Sequence, residues 1–462
     1  MKSRSFRLLA MTLAGGFLAT ALSAQTTFYV DVATGKDTNS GTSRAKPWKS
    51  MTKAASTMPK GSTLLVFPGV YSPNTSGDSF PITFGVVDQT NCKVIAVGGP
   101  SKTIIDGGGS TGLGLVRFRS KCPGIRFTGF TFRNMGKSFW SQAIRMGSAS
   151  GGVFASVKAE VDHCVFEKVH RALVIFGSPP STTVSDGNSF HDNLILPTTG
   201  QAIAVYGIGG NFIYNNTIVN PGHDGIFLSD AAFKQWSGAI VRNNIIVGGA
   251  AAGIIADNTA FKTVGNKTNG PVVENNDAFA MKGRNYAGFK VAASNLQVDP
   301  KFANPTKGDY RLTAASPLVD KGSTNLSKIR HDMDSYPRFF AYKGAARIPD
   351  MGAYELHRQD MVVTTPLQTG KTGSVKFSGT PGLGLVLFSL NDVNLLSPYG
   401  VLLIDPGLLI SAATAIGSIP GTRAIAIPND PRLVGIRLVL QGGSVTGANK
   451  TLELLQVSEQ VL

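Results

Sequence analysis

The sequence predicts an all-β protein: a parallel β-helix over residues 25–356, a linker at 357–370 and a small β-sandwich over 371–462. Two recurring phrases and one change of composition lead to this reading. The first phrase runs GFTFRNM (129–135), HCVFEKV (163–169), GNSFHDN (187–193), NNTIVNP (215–221), NNIIVGG (243–249) and NNDAFAM (275–281). The second follows it as AIRMG (143–147), ALVIFG (172–177), AIAVYG (202–207), GIFLSD (225–230) and GIIADN (253–258). Such β-rich runs, punctuated by Gly, Asn and Pro and repeating every 24 to 34 residues, fit coils of three short strands stacked into a solenoid. No segment carries the apolar period of a long amphipathic helix. After about residue 357 charges thin out and Leu, Ile, Val and Gly dominate, as in GLVLFSL and VGIRLVLQ, which suggests short sandwich strands between turns.

Within the coils, alignment puts Phe132, Phe166, Phe190, Ile218, Ile246 and Ala278 in one inward column, because side chains alternate along a strand. Two residues earlier stand Phe130, Cys164, Asn188, Asn216, Asn244 and Asn276. Four inward asparagines predict a ladder of side-chain amides, each bonded to the next one strand spacing (roughly 4.8 Å) away. A buried amide left unpaired is costly, so these residues have to stack. Ile144, Leu173, Ile203, Ile226 and Ile254 form a second apolar column.

At the start of the chain, Lys2, Arg4 and Arg7 precede an apolar stretch from Leu8 to Ala21 and small residues ending at Ala24. That is the pattern of an export signal peptide over residues 1–24. No later stretch is long and apolar enough to cross a bilayer as a helix. A formal charge of +16 attracts polyanions. Export makes an acidic polysaccharide or cell-surface glycan the expected partner, and nucleic acid is set aside. Basicity spread evenly over the surface, with no dedicated partner, is the plain alternative. TNCKVIAV and SKCPGIRF align so that Cys92 and Cys122 share a column, leaving a disulfide and two stacked thiols both open. Cys164 reads as core.

Two stretches carry a family resemblance. In 27–71, Tyr29, Val30, Gly35, Asp37, Gly41, Thr42, Pro47, Trp48, Gly61, Pro68, Gly69 and Tyr71 follow a strand, polar loop, Pro-Trp, short helix and Pro-Gly-x-Tyr order. This resembles the opening of secreted right-handed parallel β-helix proteins of the pectate-lyase-like superfamily. Residues 47–58 would then cap the first coil, whose open strand edges would otherwise invite association. In 299–355, DPKFANPTKGDYRL, SPLVDKG, DMDSYPR and IPDMGAYE resemble the closing segment of exported bacterial β-helix proteins. Their Asp and Gly residues are expected to serve turns that close the helix. The C-terminal region is similar to modules at the ends of exported bacterial proteins.

Chemistry belongs on outward positions of the middle coils. Between the phrases the columns run Ser141, His170, Gly200, His223 and Gln142, Arg171, Gln201, Asp224. Beyond them stand Arg145, Phe176, Tyr206, Phe227, Ser229, Asp230 and Asp257, and Glu167, Lys168, His191 and Asp192 are placed on neighbouring coils. Sugar rings stack on aromatic faces, and Arg or Lys neutralises uronate carboxylates. β-Elimination needs a base for the proton beside the carboxylate and a cation for the developing enolate. His223 is the candidate base, with Asp224 either orienting it or holding Ca2+ together with Asp230. Arg171 or Lys168 would meet the carboxylate, and Arg145, Phe176, Tyr206, Phe227 and His191 would bind substrate. The resemblance implies polysaccharide-lyase-like chemistry, or hydrolysis, although the calcium cluster of pectate lyases and the aspartate set of polygalacturonases are incomplete here. The alternative is a non-catalytic surface or adhesion protein whose solenoid binds glycan or extends from the cell.

Overall fold

The computed structural model describes residues 26–138, 141–147, 158–176, 187–206, 210–229, 239–257, 271–326, 331–336, 338, 348–357, 359–389, 392–397, 400–404, 415–430, 437–446 and 451–461. The expected signal peptide lies outside them. From residue 27 the chain lays down short strands in a rotating order of three, building three parallel sheets. Sheet A has nine strands, from Thr27–Val30 to Val272–Glu274. Sheet B has eight, from Gly69–Tyr71 to Asp277–Phe279, and sheet C eight, from Ile82–Phe84 to Tyr286–Ala287. Inward residues of all three fill one continuous core that includes Phe127, Phe132, Phe166, Ile203 and Ile246. The first part of the chain is thus the parallel β-helix that the repeats predict. Second-phrase residues Ile144, Leu173, Ile203, Ile226 and Ile254 are direct neighbours on sheet C.

The asparagine ladder exists, with one member corrected. Asn193, not Asn188, stands in it. Its Nδ2 donates to Asn216 Oδ1 at 3.0 Å, Asn216 to Asn244 at 2.9 Å, Asn244 to Asn276 at 2.9 Å and Asn276 to Asn295 at 3.1 Å. Each amide oxygen also accepts a backbone N–H from the coil before, such as Cys164 to Asn193 at 2.9 Å. Asn188 instead donates to Asn211 at 3.1 Å, at the entrance to sheet A. Phe190 moves with it and pairs with Val161 and Ile213, while Ile195 takes the slot beside Phe166 and Ile218. The misreading has a physical cause: both turns of that coil offer Asn-x-apolar ahead of a strand. The true repeat is marked by positive φ just before the ladder, at Gly129, His163, Asp192, Asn215, Asn243 and Asn275. Among residues with a side chain, Asn, Asp and His adopt that conformation most readily.

The helix Met51–Thr57 closes the first coil as expected. Ser50 caps it, accepting from Lys53 N, and Met51, Ala54 and Ala55 are buried in the core beside Trp48, which stacks on Phe28 at 4.9 Å. Cys92 and Cys122 are free and do not share a column: Lys93 pairs with Arg126, which places Cys92 beside Ile125. Their sulfurs contact different carbonyls, Pro59 and Arg119.

Residues 299–355 do not close the far end. After the hairpin Phe302–Asn304/Asp309–Leu312 the chain turns back along the outside of the solenoid. Asn275 donates to Lys321 O, Asn243 accepts from Ser323 N, and His163 Nε2 meets Asp332 O at 2.7 Å, several coils toward the N-terminus. The chain then returns, with Ala353 N donating to Thr217 Oγ1 and Gly352 N to Asn243 O. Leu312, Leu318, Val319 and Met351 cover the outer face of sheet B at Ile245. Arg338, fully buried, fastens this segment: it donates to Asp192 and, at 2.9 Å, to Glu355. Asp192 also binds His191 Nδ1 at 2.6 Å, and His191 Nε2 lies 3.3 Å from Glu160. Burial opposes a charged His191, but its bonds to Asp192 and Glu160 outweigh that and lift it to about 9.

Residues 357–370, expected as a linker, contain the strand Gln359–Thr365, antiparallel to Thr372–Ser389. The run Val362 to Thr365 is β-branched, and such residues favour strands. The C-terminal region is a five-stranded antiparallel sheet with a separate two-stranded one. Thr372–Ser389 changes register between Phe377 and Gly382. The Phe377 ring lies against Gly384, where a Cβ would stand 2.8 Å from it, so both halves of the strand share one core.

Two outcomes follow for stability. Asn244→Ala removes a rung whose partners stay buried, and denaturant titration should register a loss of about 2–3 kcal/mol, against almost none for exposed Asn74→Ala. His191 titrates higher folded than its unfolded value near 6.5, so its contribution is complete below that pH and is lost as pH rises through about 9. Unfolding midpoints should therefore fall between about pH 7 and about pH 10, and more shallowly in His191→Gln.

Candidate functional site

On the outer face of sheet C, strand register sets Arg145, Val174, Ala204, Phe227 and Ile255 in one row. Phe176 and Tyr206 form the next row, in register with Ser229. Phe176 stacks on Tyr206 at 5.3 Å, Tyr206 meets Phe227 at 5.6 Å, and the Arg145 guanidinium sits 4.9 Å over the Phe176 ring. Arg145 and Phe176 are buried, while Tyr206 and Phe227 are half-buried. Small Ala204 lies among the three rings in the same apolar cluster. Four of the residues expected to bind substrate are thus contiguous.

The turn from sheet B to sheet C borders this row. Its columns stand as the sequence suggests: Gly200 N donates to His170 O, His223 N to Gly200 O, Ala143 N to Arg171 O and Ala202 N to Asp224 O. Asp224 is buried, with Oδ1 accepting from Ala252 N at 3.0 Å and Oδ2 2.7 Å from His223 Nδ1. The His223 side chain is 62% exposed. A carboxylate at Nδ1 fixes the Nδ1–H tautomer and leaves Nε2, toward solvent, as the basic nitrogen. Arg171, two coils before Asp224 in the same column, is buried. Its charge and that of Asp224 both act on the Tyr206 phenol, whose pKa is raised first of all by burial. His170 differs from His223: it is buried, bonded to Thr199 Oγ1 at 2.8 Å, and its pKa is lowered by burial and then by Arg171 and Lys137. Its ring fills the space above Gly200, where a Cβ would lie 2.7 Å from Cε1.

The other expected site residues fall elsewhere. Lys168 is exposed in a positive-φ turn at the start of the same B–C connection, three residues before Arg171. His191 lies on sheet A, stacked on Tyr214 at 4.8 Å and almost fully buried. It is therefore not beside the aromatic row. Asp230 lies outside the described residues. Calcium fits Asp224 poorly, because one of its oxygens serves a backbone N–H and the other an imidazole, whereas calcium takes six or more oxygens.

A second cluster was not legible in the sequence. Glu160, Asp162 and His191 bring metal-ligand atoms within 4.8 Å of one another. Their charges are already met: Arg126 donates to Asp162 at 2.7 and 3.1 Å, Thr128 donates to the same carboxylate, and His163 Nδ1 lies 2.9 Å from it. This is an ion-pair network under the returning segment. Its signal lay in two columns of successive sheet A strands, Arg126 beside Glu160 and Thr128, Asp162 and His191 in line, which need the correct register to see.

Residues 116–299 match the family model described as the right-handed β-helix region, and residues 33–115 match one described as a protein of unknown function, DUF1565. No curated protein matches the chain. Among solved structures, it is similar to a GH136 lacto-N-biosidase from Eubacterium ramulus at 13% identity and a TM-score of 0.40, over 56% of this chain and 54% of that one. It is also similar to the A-module of the mannuronan C-5 epimerase AlgE6 from Azotobacter vinelandii at 14% and 0.33, over 49% and 64%. A third similarity is to the enzymatically active domain of tailspike protein 2 of bacteriophage CBA120, at 10% and 0.23, over 88% and 71%. The chain spans between half and two thirds of the length of the first two. Family match and strand topology agree: residues 116–299 form a right-handed parallel β-helix.

Proposed function

We propose that this protein binds an acidic polysaccharide along the outer face of sheet C and cleaves it by β-elimination, with His223 as the base. The observation that carries this reading is the His223–Asp224 pair, an exposed imidazole held at Nδ1 by a buried carboxylate beside a half-buried aromatic row. In the reaction, Nε2 of His223 takes the proton next to a uronate carboxylate. Arg171 faces that carboxylate and stabilises the enolate. The electron pair then expels the glycosidic oxygen from the adjacent ring carbon, C4; that oxygen takes a proton from solvent, and a C4–C5 double bond is left on the new non-reducing end. Half-buried Tyr206 and Phe227 hold the sugar faces, with buried Phe176 packed behind them between Tyr206 and Arg145. An export leader over residues 1–24 would deliver the protein to such polymers outside the cell.

Incubation with polygalacturonate, alginate and glycosaminoglycans, followed by ultraviolet absorbance of the unsaturated product, tests the reading. His223→Ala is expected to lower kcat by about 10²- to 10⁴-fold, and full rate in that variant would refute the base assignment. Tyr206→Ala should raise KM more than it lowers kcat. Because Asp224 is occupied by His223 and Ala252 N–H, activity is expected to survive EDTA. Binding without product on any of these polymers would favour the adhesion reading.

A further inference from the structure

Sheet C carries a second feature, at the opposite end of the row from His223. Arg117 and Arg145 are direct partners on adjacent strands. Both point outward, since Val116, Phe118, Ile144 and Met146 on either side of them are in the core. Like charges directly opposite each other across a strand pair destabilise a sheet. Burial aggravates this: Arg145 is only 3% exposed, and the Nε of half-buried Arg117 is enclosed without a hydrogen-bond partner. The other charge acting on Arg117 is also positive, Arg119. Burial and then Arg117 bring Arg145 down to about 10. Arg145 is held in place by its Nε bond to Gly147 O at 3.2 Å and by the Phe176 ring. Arg117, with its Nε enclosed without a hydrogen-bond partner and with Arg119 and Arg145 as positive neighbours, gains from an anion beside it, because guanidinium forks bind oxyanions bidentately.

We infer that Arg117 and Arg145 form an anion subsite for a carboxylate or sulfate group on the same polysaccharide that reaches His223, an inference that rests on sheet C being the glycan face. Arg145, Val174, Ala204 and Phe227 occupy successive coils. The subsite therefore lies three strand spacings, roughly 14 Å, from the coil of His223. A mono- or disaccharide cannot serve both positions. The ligand has to be an oligomer carrying acidic groups on more than one sugar, lying along the helix axis.

The test is titration calorimetry of the full chain with di- and hexasaccharides of polygalacturonate and of heparin, the first pair carrying carboxylates alone and the second sulfates as well. The wild type should bind one of the hexasaccharides much more tightly than its disaccharide. Arg117→Gln should weaken the hexasaccharide by about tenfold, lower the salt dependence and leave the disaccharide unchanged, with Arg117→Lys in between. Arg145→Gln should act in the same way. Arg117→Gln also relieves repulsion, so it should melt no lower than the wild type, which separates the role from a structural one. Unchanged hexasaccharide affinity in Arg117→Gln overturns the subsite while leaving the His223 reading in place. Failure of the wild type to bind either hexasaccharide overturns both. Normal hexasaccharide binding by a fully active His223→Ala would remove the base and keep the subsite.

Discussion

Everything in the solenoid depends on residues one coil apart lying one strand spacing apart, and the buried asparagines enforce that register. An apolar column can slip by a residue at modest cost, because one aliphatic side chain replaces another. An amide ladder cannot. From Asn216 to Asn295 each Asn oxygen takes both an amide N–H and a backbone N–H from the preceding coil, so a slip would strand several buried polar groups together. The ladder from Asn193 to Asn295 lies at the turn between sheets A and B, and the columns of the B–C turn and of sheet C take their order from it. The alignment of Gln201 and Asp224 is thus tied to amide chemistry on another edge of the coil, whereas the earlier coils that carry Arg145 and Arg171 have Phe130 and Cys164 at that edge.

This also explains which parts were legible in advance. Sheet C was read correctly coil by coil, because its phrase has a distinct pattern of small residue, apolar residue and a following Gly or Asp. Sheets A and B were confused at one coil, since Asn188 and Asn193 both precede an apolar strand. That single shift misplaced His191, which was assigned to the glycan face and belongs to sheet A. The direction of residues 299–355 was illegible for a different reason. Turn-forming Asp, Gly and Pro report local geometry, whereas the decisive contact, Arg338 with Asp192, joins residues 146 apart. Likewise the strand at 359–365 was read as a linker because a segment just outside a domain is judged by position unless its β-branched run is weighed first.

The three outer faces of the coil end up with different chemistry. Sheet B is covered by Leu312, Leu318, Val319 and Met351 of the returning segment. Sheet A pairs Arg126 with Asp162 and His191 with Asp192 and Glu160, so its cations and anions face each other at short range. Sheet C has rings at half burial, an exposed imidazole and two adjacent arginines. Buried charge is tolerated when it is paired and hydrogen-bonded, a condition that the chain meets internally on sheet A.

The same contrast separates the two histidine–aspartate pairs. His191 and Asp192 have the same residue order and nearly the same Nδ1 distance as His223 and Asp224, 2.6 against 2.7 Å. Yet the second ring nitrogen of His191 faces Glu160 in a dry network, whereas the His223 side chain is mostly exposed. A base has to give up its proton and take another at each turnover. His191, lifted to about 9 and sealed beneath the return segment, is fixed in its charged form and serves cohesion. His223 is anchored at Nδ1 by Asp224 with its side chain 62% exposed, and the difference between the two pairs comes from what covers each turn, not from the dipeptide itself.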